Sequence, residues 1–220
     1  MPMRKVINFI LFLLIISSFN SFAQKLTENE KTVFDEIVYK RKQIGEYETL
    51  SKWAKPIRYK IYGDTSAYLV KEVDSFFNLL KKITPLDIKK AATESEENFT
   101  LVFGEKPADF QAYTSTNKPL DAIGSYRVRA TNGGEIYWGQ SLINTKKLGS
   151  RINIKNAIKK NIVKCIGFSG SSELAPSSVF TIKNTNDIKI EDFDIHIISA
   201  LYLPAIKPGM TRDQVDEILK

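Results

Sequence analysis

The sequence is poor in the residues that carry metal and redox chemistry. Among its 220 residues there is one cysteine, Cys165, and one histidine, His196. A single thiol closes no intramolecular disulfide. One imidazole and one thiol fall short of the three or four ligands that zinc sites use. Cys165 sits on an apolar stripe with no histidine or acid near it in sequence, the setting of a buried, inert thiol rather than a nucleophile. Beyond the N-terminus no segment is long and apolar enough to span a bilayer, which takes about 20 residues.

The one long apolar run is N-terminal. Arg4 and Lys5 precede an apolar stretch over residues 6–16, and Ser21-Phe22-Ala23 offers small residues where signal peptidase reads. This predicts an export signal over residues 1–23 with cleavage before Gln24. The run is short for an uncleaved anchor, and no cysteine follows it to carry a lipid. The expected mature chain, residues 24–220, is periplasmic or secreted, and its size fits a single domain around one core. Lys and Arg outnumber Asp and Glu by 32 to 25, a net charge of +7. In an exported chain this reads as solubility or weak attraction to anionic envelope surfaces, not as nucleic-acid binding.

The pattern along the chain is mixed. Thr27-x-x-Glu30 is a capping box that starts a helix, with Val33, Phe34, Ile37, Val38 and Ile44 on one face, within an N-terminal helical segment over residues 24–50. Ile57, Tyr59 and Ile61 alternate with polar neighbours as a strand. Leu69, Val73, Phe76, Phe77, Leu80 and Ile83 form a helical stripe, closed by Pro85. A strand is expected over 98–103, then an irregular polar segment over 107–120. Strands over 125–130 and 135–140 are joined by the turn Asn132-Gly133-Gly134. Ile154, Ile158, Ile162 and Cys165 stripe the next helix, which Gly167 stops. A Ser/Asn-rich loop over 169–186 leads to a helix over 191–203, and Thr211-x-x-Gln214 caps a terminal helix. This order predicts an α+β domain, a mixed sheet covered by helices.

Two stretches carry a resemblance. The helix closing on Ile166-Gly167, followed by Asp194-Ile195-x-x-Ile198-x-x-Leu201-Tyr202, resembles the C-terminal half of zincin metalloproteases of the matrixin type. Ser178-Val179-Phe180 falls where those proteins carry the methionine turn beneath the metal, and Lys207-Pro208-Gly209-Met210-Thr211 is similar to the tail of an exported bacterial family of unknown function. The resemblance implies a zincin-like fold. It also implies where the metal motif would lie, since a zincin helix offers two histidines four residues apart with a glutamate beside the first. Matched on Gly167, those places hold Lys160, Asn161 and Lys164, and a third ligand would fall at Gly170. Ammonium groups repel zinc, and an amide is no general base. No metal and no cofactor is therefore expected, and no catalytic residue is assigned.

Lys160, Asn161 and Lys164 are the candidate remnant cleft. The alternative for the lysines is a solvated basic face shared with Lys155 and Lys159. Tyr126, Tyr137 and Trp138, on or near the hairpin, are a candidate aromatic surface for sugar or peptide, or else core. His196 is expected to be structural, and Glu191, Asp192 and Asp194 to serve a helix N-terminus. The resulting expectation is an exported, non-catalytic protein that binds a peptide, glycan or protein partner in the cell envelope. The alternatives are a hydrolase with an atypical site and a structural accessory of an envelope complex.

Overall fold

A computed structural model describes residues 25–39, 49–114, 123–183 and 188–220. The export signal, Gln24 and Ile44 lie outside the described residues, as do residues 115–122 and 184–187 of the two polar loops.

Helix α1 (Glu28–Val38) starts at the expected capping box, with Thr27 and Glu30 each bonding the other's backbone N–H. Val33, Phe34, Ile37 and Val38 are buried along it. Strand β1 (Lys52–Trp53) is short, and β2 (Ile57–Gly63) carries the expected alternation. Helix α2 (Ala67–Ile83) buries Leu69, Val73, Phe76, Phe77 and Leu80. Two further strands follow, β3 (Ile88–Lys90) and β4 (Phe99–Gly104). Part of the segment expected to be irregular is a 3-10 helix, Pro107–Tyr113, which anchors itself through fully buried Phe110.

Strand β5 (Gly124–Ala130) turns through residues 131–134 into β6 (Glu135–Asn144). A single turn, α3 (Thr145–Leu148), precedes α4 (Arg151–Cys165). Helix α4 ends where expected. Gly167 has φ +124, and a Cβ there would lie 2.4 Å from the Ser51 carbonyl oxygen, so a larger residue fits neither the backbone nor the space. Helices α5 (Asp192–Leu201) and α6 (Arg212–Leu219) complete the chain, the latter opened by the expected Thr211–Gln214 box.

One six-stranded sheet runs through the domain. Strands β3, β2, β4 and β6 lie side by side and parallel. Strand β5 is antiparallel on the far edge of β6. Both β1 and β5 pair with Ile136, so they flank β6 on opposite sides, and β1 continues the line that β4 occupies further along. The expected α+β class with a mixed sheet is what forms. Helix α4 packs on β5 and β6 and against α2, while α5 packs on α1 and α2. These helices share one large core with Trp53, Phe77, Phe99 and Phe168. The opposite sheet face carries a small cluster of Val102, Phe110 and Leu142, under the 3-10 helix.

Candidate functional site

Pairing register decides which way each hairpin side chain points, because directly opposed residues share a sheet face. Tyr126 opposes Ser141 and Val128 opposes Gly139. Ser141 Oγ accepts from the Asn161 side chain, and a Cβ on Gly139 would lie 3.4 Å from Cys165 Cβ. Tyr126 and Val128 therefore face α4. Arg127 opposes Gln140 and Arg129 opposes Trp138, on the other face. The Arg129 guanidinium lies over the Trp138 ring, 4.9 Å from its centroid.

A cleft of about 1030 Å³ runs along this strand. Tyr126, Arg127, Val128, Arg129 and Ala130 all line it, together with Trp138, Gln140, Lys164 and Ser169. Successive strand residues point to opposite faces. A cavity touched by five in a row therefore follows the strand's outer edge and wraps it. Among the described residues β5 pairs with β6 alone, so this outer edge is the open one. Its ladder has a fixed phase. The Asn144 N–H donates to the Ile123 carbonyl at 2.9 Å. Stepping by two along the antiparallel register turns the backbone groups of residues 125, 127 and 129 toward β6, and those of Tyr126 and Val128 toward the cleft.

The structure brings Tyr126, Trp138 and Lys164 to one cleft, but it does not make a single aromatic platform. Tyr126 and Trp138 lie on opposite sheet faces, and the Tyr126 hydroxyl is tied to the Ser169 carbonyl at 3.1 Å. Tyr137 is absent from the described lining and is 45% exposed. The register shift between Arg129 and Ala130 leaves it without an opposing residue on β5. A bulge of this kind breaks the period-two reading that grouped it with Trp138.

The lysines of α4 are not a solvated face. Lys155, Lys159, Lys160 and Lys164 are all half-buried. Lys159 Nζ donates to the Ile188 carbonyl, and Lys160 Nζ to the Lys183 carbonyl at 2.9 Å. Burial pushes the Lys160 ammonium below its ordinary range. Lys164 Nζ donates to the carbonyls of Ser169 and Gly170 and, at 2.8 Å, to Ser171 Oγ. Asn161 bridges α4 to the hairpin through Ser141 Oγ at 3.1 Å and the Ser125 carbonyl at 3.5 Å. The loop after α4 bends back, and its backbone dipoles supply the acceptors that a purely helical reading cannot see.

Gly170 is closed off by the N-terminal helix. Its N–H donates to the Ile37 carbonyl at 2.8 Å, and a Cβ would meet the Glu36 carbonyl oxygen at 2.2 Å. No side chain fits there with α1 in place. Among the described residues no group of three His, Cys, Asp or Glu side chains is placed to hold a metal ion.

A family model for a protein of unknown function, DUF2927, matches residues 29–220. The chain belongs to the DUF2927 family. The match runs from within α1 to the C-terminus, so the cleft, the α4 lysines and the β5 edge all lie inside the family's domain. No curated protein matches the chain significantly.

The remaining candidates in this DUF2927 domain are structural. Cys165 is fully buried, its Sγ lies 3.3 Å from the Gln140 carbonyl, and burial pushes its thiol up to about 12. His196 Nδ1 sits 2.8 Å from Glu30 Oε1, joining α5 to the cap of α1. Asp194 is buried and accepts from Ser178 Oγ, the Val179 N–H and the Glu191 N–H. Sequence reasoning misses Lys52. It is 6% exposed and donates to the Leu201 and Ile206 carbonyls at 2.7 and 3.0 Å, closing the C-terminal end of α5. Burial, with Lys207 nearby, pushes its ammonium down to about 8. Arg127 and Arg129 also escape notice, although their i, i+2 spacing on a predicted strand is the signal that places both on one face.

Proposed function

We propose that the protein is an exported, non-catalytic binding protein of zincin-like fold, and that its cleft takes an extended peptide segment of a cell-envelope partner along the outer edge of β5. The outer edge of β5, unpaired among the described residues, with the Tyr126 and Val128 backbone groups turned into a 1030 Å³ cleft, carries this reading. A strand added to such an edge gains main-chain hydrogen bonds, and side-chain pockets then select among segments.

The zincin resemblance is supported by the strand order β3–β2–β4–β6–β5 with one antiparallel edge strand, by α4 behind that edge, and by the 178–180 loop held beneath Phe168 through Phe180, whose rings are 5.0 Å apart. Zinc does not fit this donor set. The two places where imidazoles would stand hold ammonium groups already bonded to carbonyls, and the third is walled off by α1. The described lining also carries no carboxylate to activate water. Tyr126 and Trp138 cannot stack one sugar ring from opposite sheet faces, which favours a peptide over a glycan.

The test has two arms. Mass spectrometry of the native exported protein should find Gln24 as its first residue; recovery of residues 1–23 on a membrane fraction contradicts export. Selection from an unbiased peptide library should recover extended segments that elute uncleaved. Val128→Pro removes an N–H that faces the cleft and should weaken capture, while Val128→Ala, which trims the same side chain but keeps that N–H, controls for the packing lost from the core. Cleaved peptides, or capture untouched by Val128→Pro, contradict the reading.

A further inference from the structure

We infer that a second pocket, between β1 and the segment joining α5 to α6, binds a small carboxylate with an apolar body, its carboxylate group met by the Lys52 ammonium. This pocket is separate from the β5 cleft, and none of its described lining residues lines that cleft.

Lys52 is a buried cation without a counter-charge. Its Nζ donates to the Leu201 and Ile206 carbonyls and lies 4.8 Å from the centroid of the Tyr202 ring. Among the described residues no carboxylate pairs with it. An ammonium has three donors, so one N–H is left without an oxygen acceptor. A charge taken out of water is costly unless an opposite charge and hydrogen bonds compensate it. Burial, with Lys207 adding like charge, is what pushes this ammonium down to about 8, and a bound carboxylate would reverse that shift.

The pocket that Lys52 lines holds about 450 Å³, within the range of small-molecule sites. Its walls are mostly apolar. Pro56, Pro85, Pro204 and Pro208 have no N–H, and those of Leu203 and Ile206 are already bonded to the Ala200 and Leu203 carbonyls, each at 3.1 Å. These six positions give an apolar body a surface and an anion no backbone donor, so recognition falls to side chains. The described lining supplies Lys52, Lys55 and Lys207 against Asp87. Asp87 is already held by Arg58 at 2.7 Å and Lys89 at 3.1 Å. Lys55 reaches Glu135 at 3.3 Å, and Lys207 is exposed. Of the three lysines Lys52 alone is buried, and its two carbonyl bonds fix its position before any ligand arrives.

The experiment uses the mature chain, followed by NMR with hexanoate, hexanamide and acetate as probes. Hexanoate should shift the Leu203 and Ile206 methyl signals and raise the Lys52 titration above about 8. Its affinity should fall as pH rises through the Lys52 value, because the amine loses its charge while the ligand stays a carboxylate. The titratable groups facing Lys52 are Tyr202 and Lys207, with Lys55 and Asp87 in the same lining. Hexanamide, the same body without the charge, should bind roughly 10- to 100-fold more weakly. Acetate, the charge without the body, should not saturate the site. Lys207→Glu sets a carboxylate beside the pocket and should weaken hexanoate severalfold with hexanamide unchanged. Lys52→Met should remove the preference for hexanoate over hexanamide.

Equal affinity for hexanoate and hexanamide in wild type, or a Lys52 titration that hexanoate leaves unmoved, overturns the proposal. So does hexanoate that shifts no signal, or only those of the β5 cleft at Tyr126 and Trp138. Lys52→Met also removes the bonds that close the C-terminal end of α5. The wild-type comparison of hexanoate with hexanamide, together with Lys207→Glu, decides the question even if Lys52→Met folds poorly.

Discussion

Lys164 is the residue whose replacement says most about what holds the loop that follows α4. Its ammonium joins the last turn of α4 to three successive residues of the following loop, through two carbonyls and the Ser171 hydroxyl. That loop is in turn fixed to α1 through Gly170. Hydrogen bonds to a charged group contribute about 1.5–3 kcal/mol each when buried. Lys164 is only half-buried and its three described bonds share one ammonium, so about 2–3 kcal/mol for the set is the expected loss in Lys164→Gln. For a domain of this size each kcal/mol moves the melting temperature by about 2–4 °C, which sets the fall at roughly 4–12 °C. Calorimetric melts of the mature protein measure it directly. Lys160→Gln, which loses one bond to the Lys183 carbonyl, should fall by less. A Lys164→Gln protein that melts within a degree of wild type, or one that loses less than Lys160→Gln, refutes the claim that this ammonium organises the loop.

Ile158→Ala on the buried face of α4, where Ile158 is 1% exposed, should lose about 2–5 kcal/mol in urea titration, from lost burial and the cavity left behind. Glu30→Gln should lose about 1–2 kcal/mol at pH 7, since it weakens the α1 capping box and the contact with His196. Burial raises the Glu30 carboxyl, but the Thr27 backbone N–H, His196 and the Thr27 hydroxyl outweigh it and hold the carboxyl below its ordinary 4.5. A depressed carboxyl stabilises the fold above its unfolded value and loses that contribution as pH falls through the folded one. The gap between Glu30→Gln and wild type should therefore close below pH 4.5 in acid titrations followed by circular dichroism. Purified protein should carry no stoichiometric zinc by elemental analysis, and Gly170→His should destabilise the fold rather than create a ligand, because a Cβ there meets the Glu36 carbonyl.

The parts of this fold legible in the sequence are those set by near neighbours. Thr27–Glu30 and Thr211–Gln214 cap their helices as written, and the stripes of α2 and α4 face the core, because three- and four-residue spacings decide both. Strand β3 escapes, since three residues with two exposed lysines take their conformation from pairing with β2. Lys52 escapes for the same kind of reason: nothing near it in sequence foretells that the carbonyls of Leu201 and Ile206 will receive its ammonium. At the candidate site, Tyr126, Trp138 and Lys164 do meet in one cleft. The bulge at Arg129/Ala130 sets Tyr137 apart, and the returning 169–171 loop turns lysines that read as solvated into donors.

The central claim is that the outer edge of β5 receives an added strand, and hydrogen exchange at single-residue resolution tests it most directly. With a library-selected extended peptide bound, the amides of Tyr126 and Val128 should become protected, while those of Arg127 and Arg129, turned toward β6, change little. Peptide binding that leaves Tyr126 and Val128 exchanging as fast as in the free protein would contradict the account.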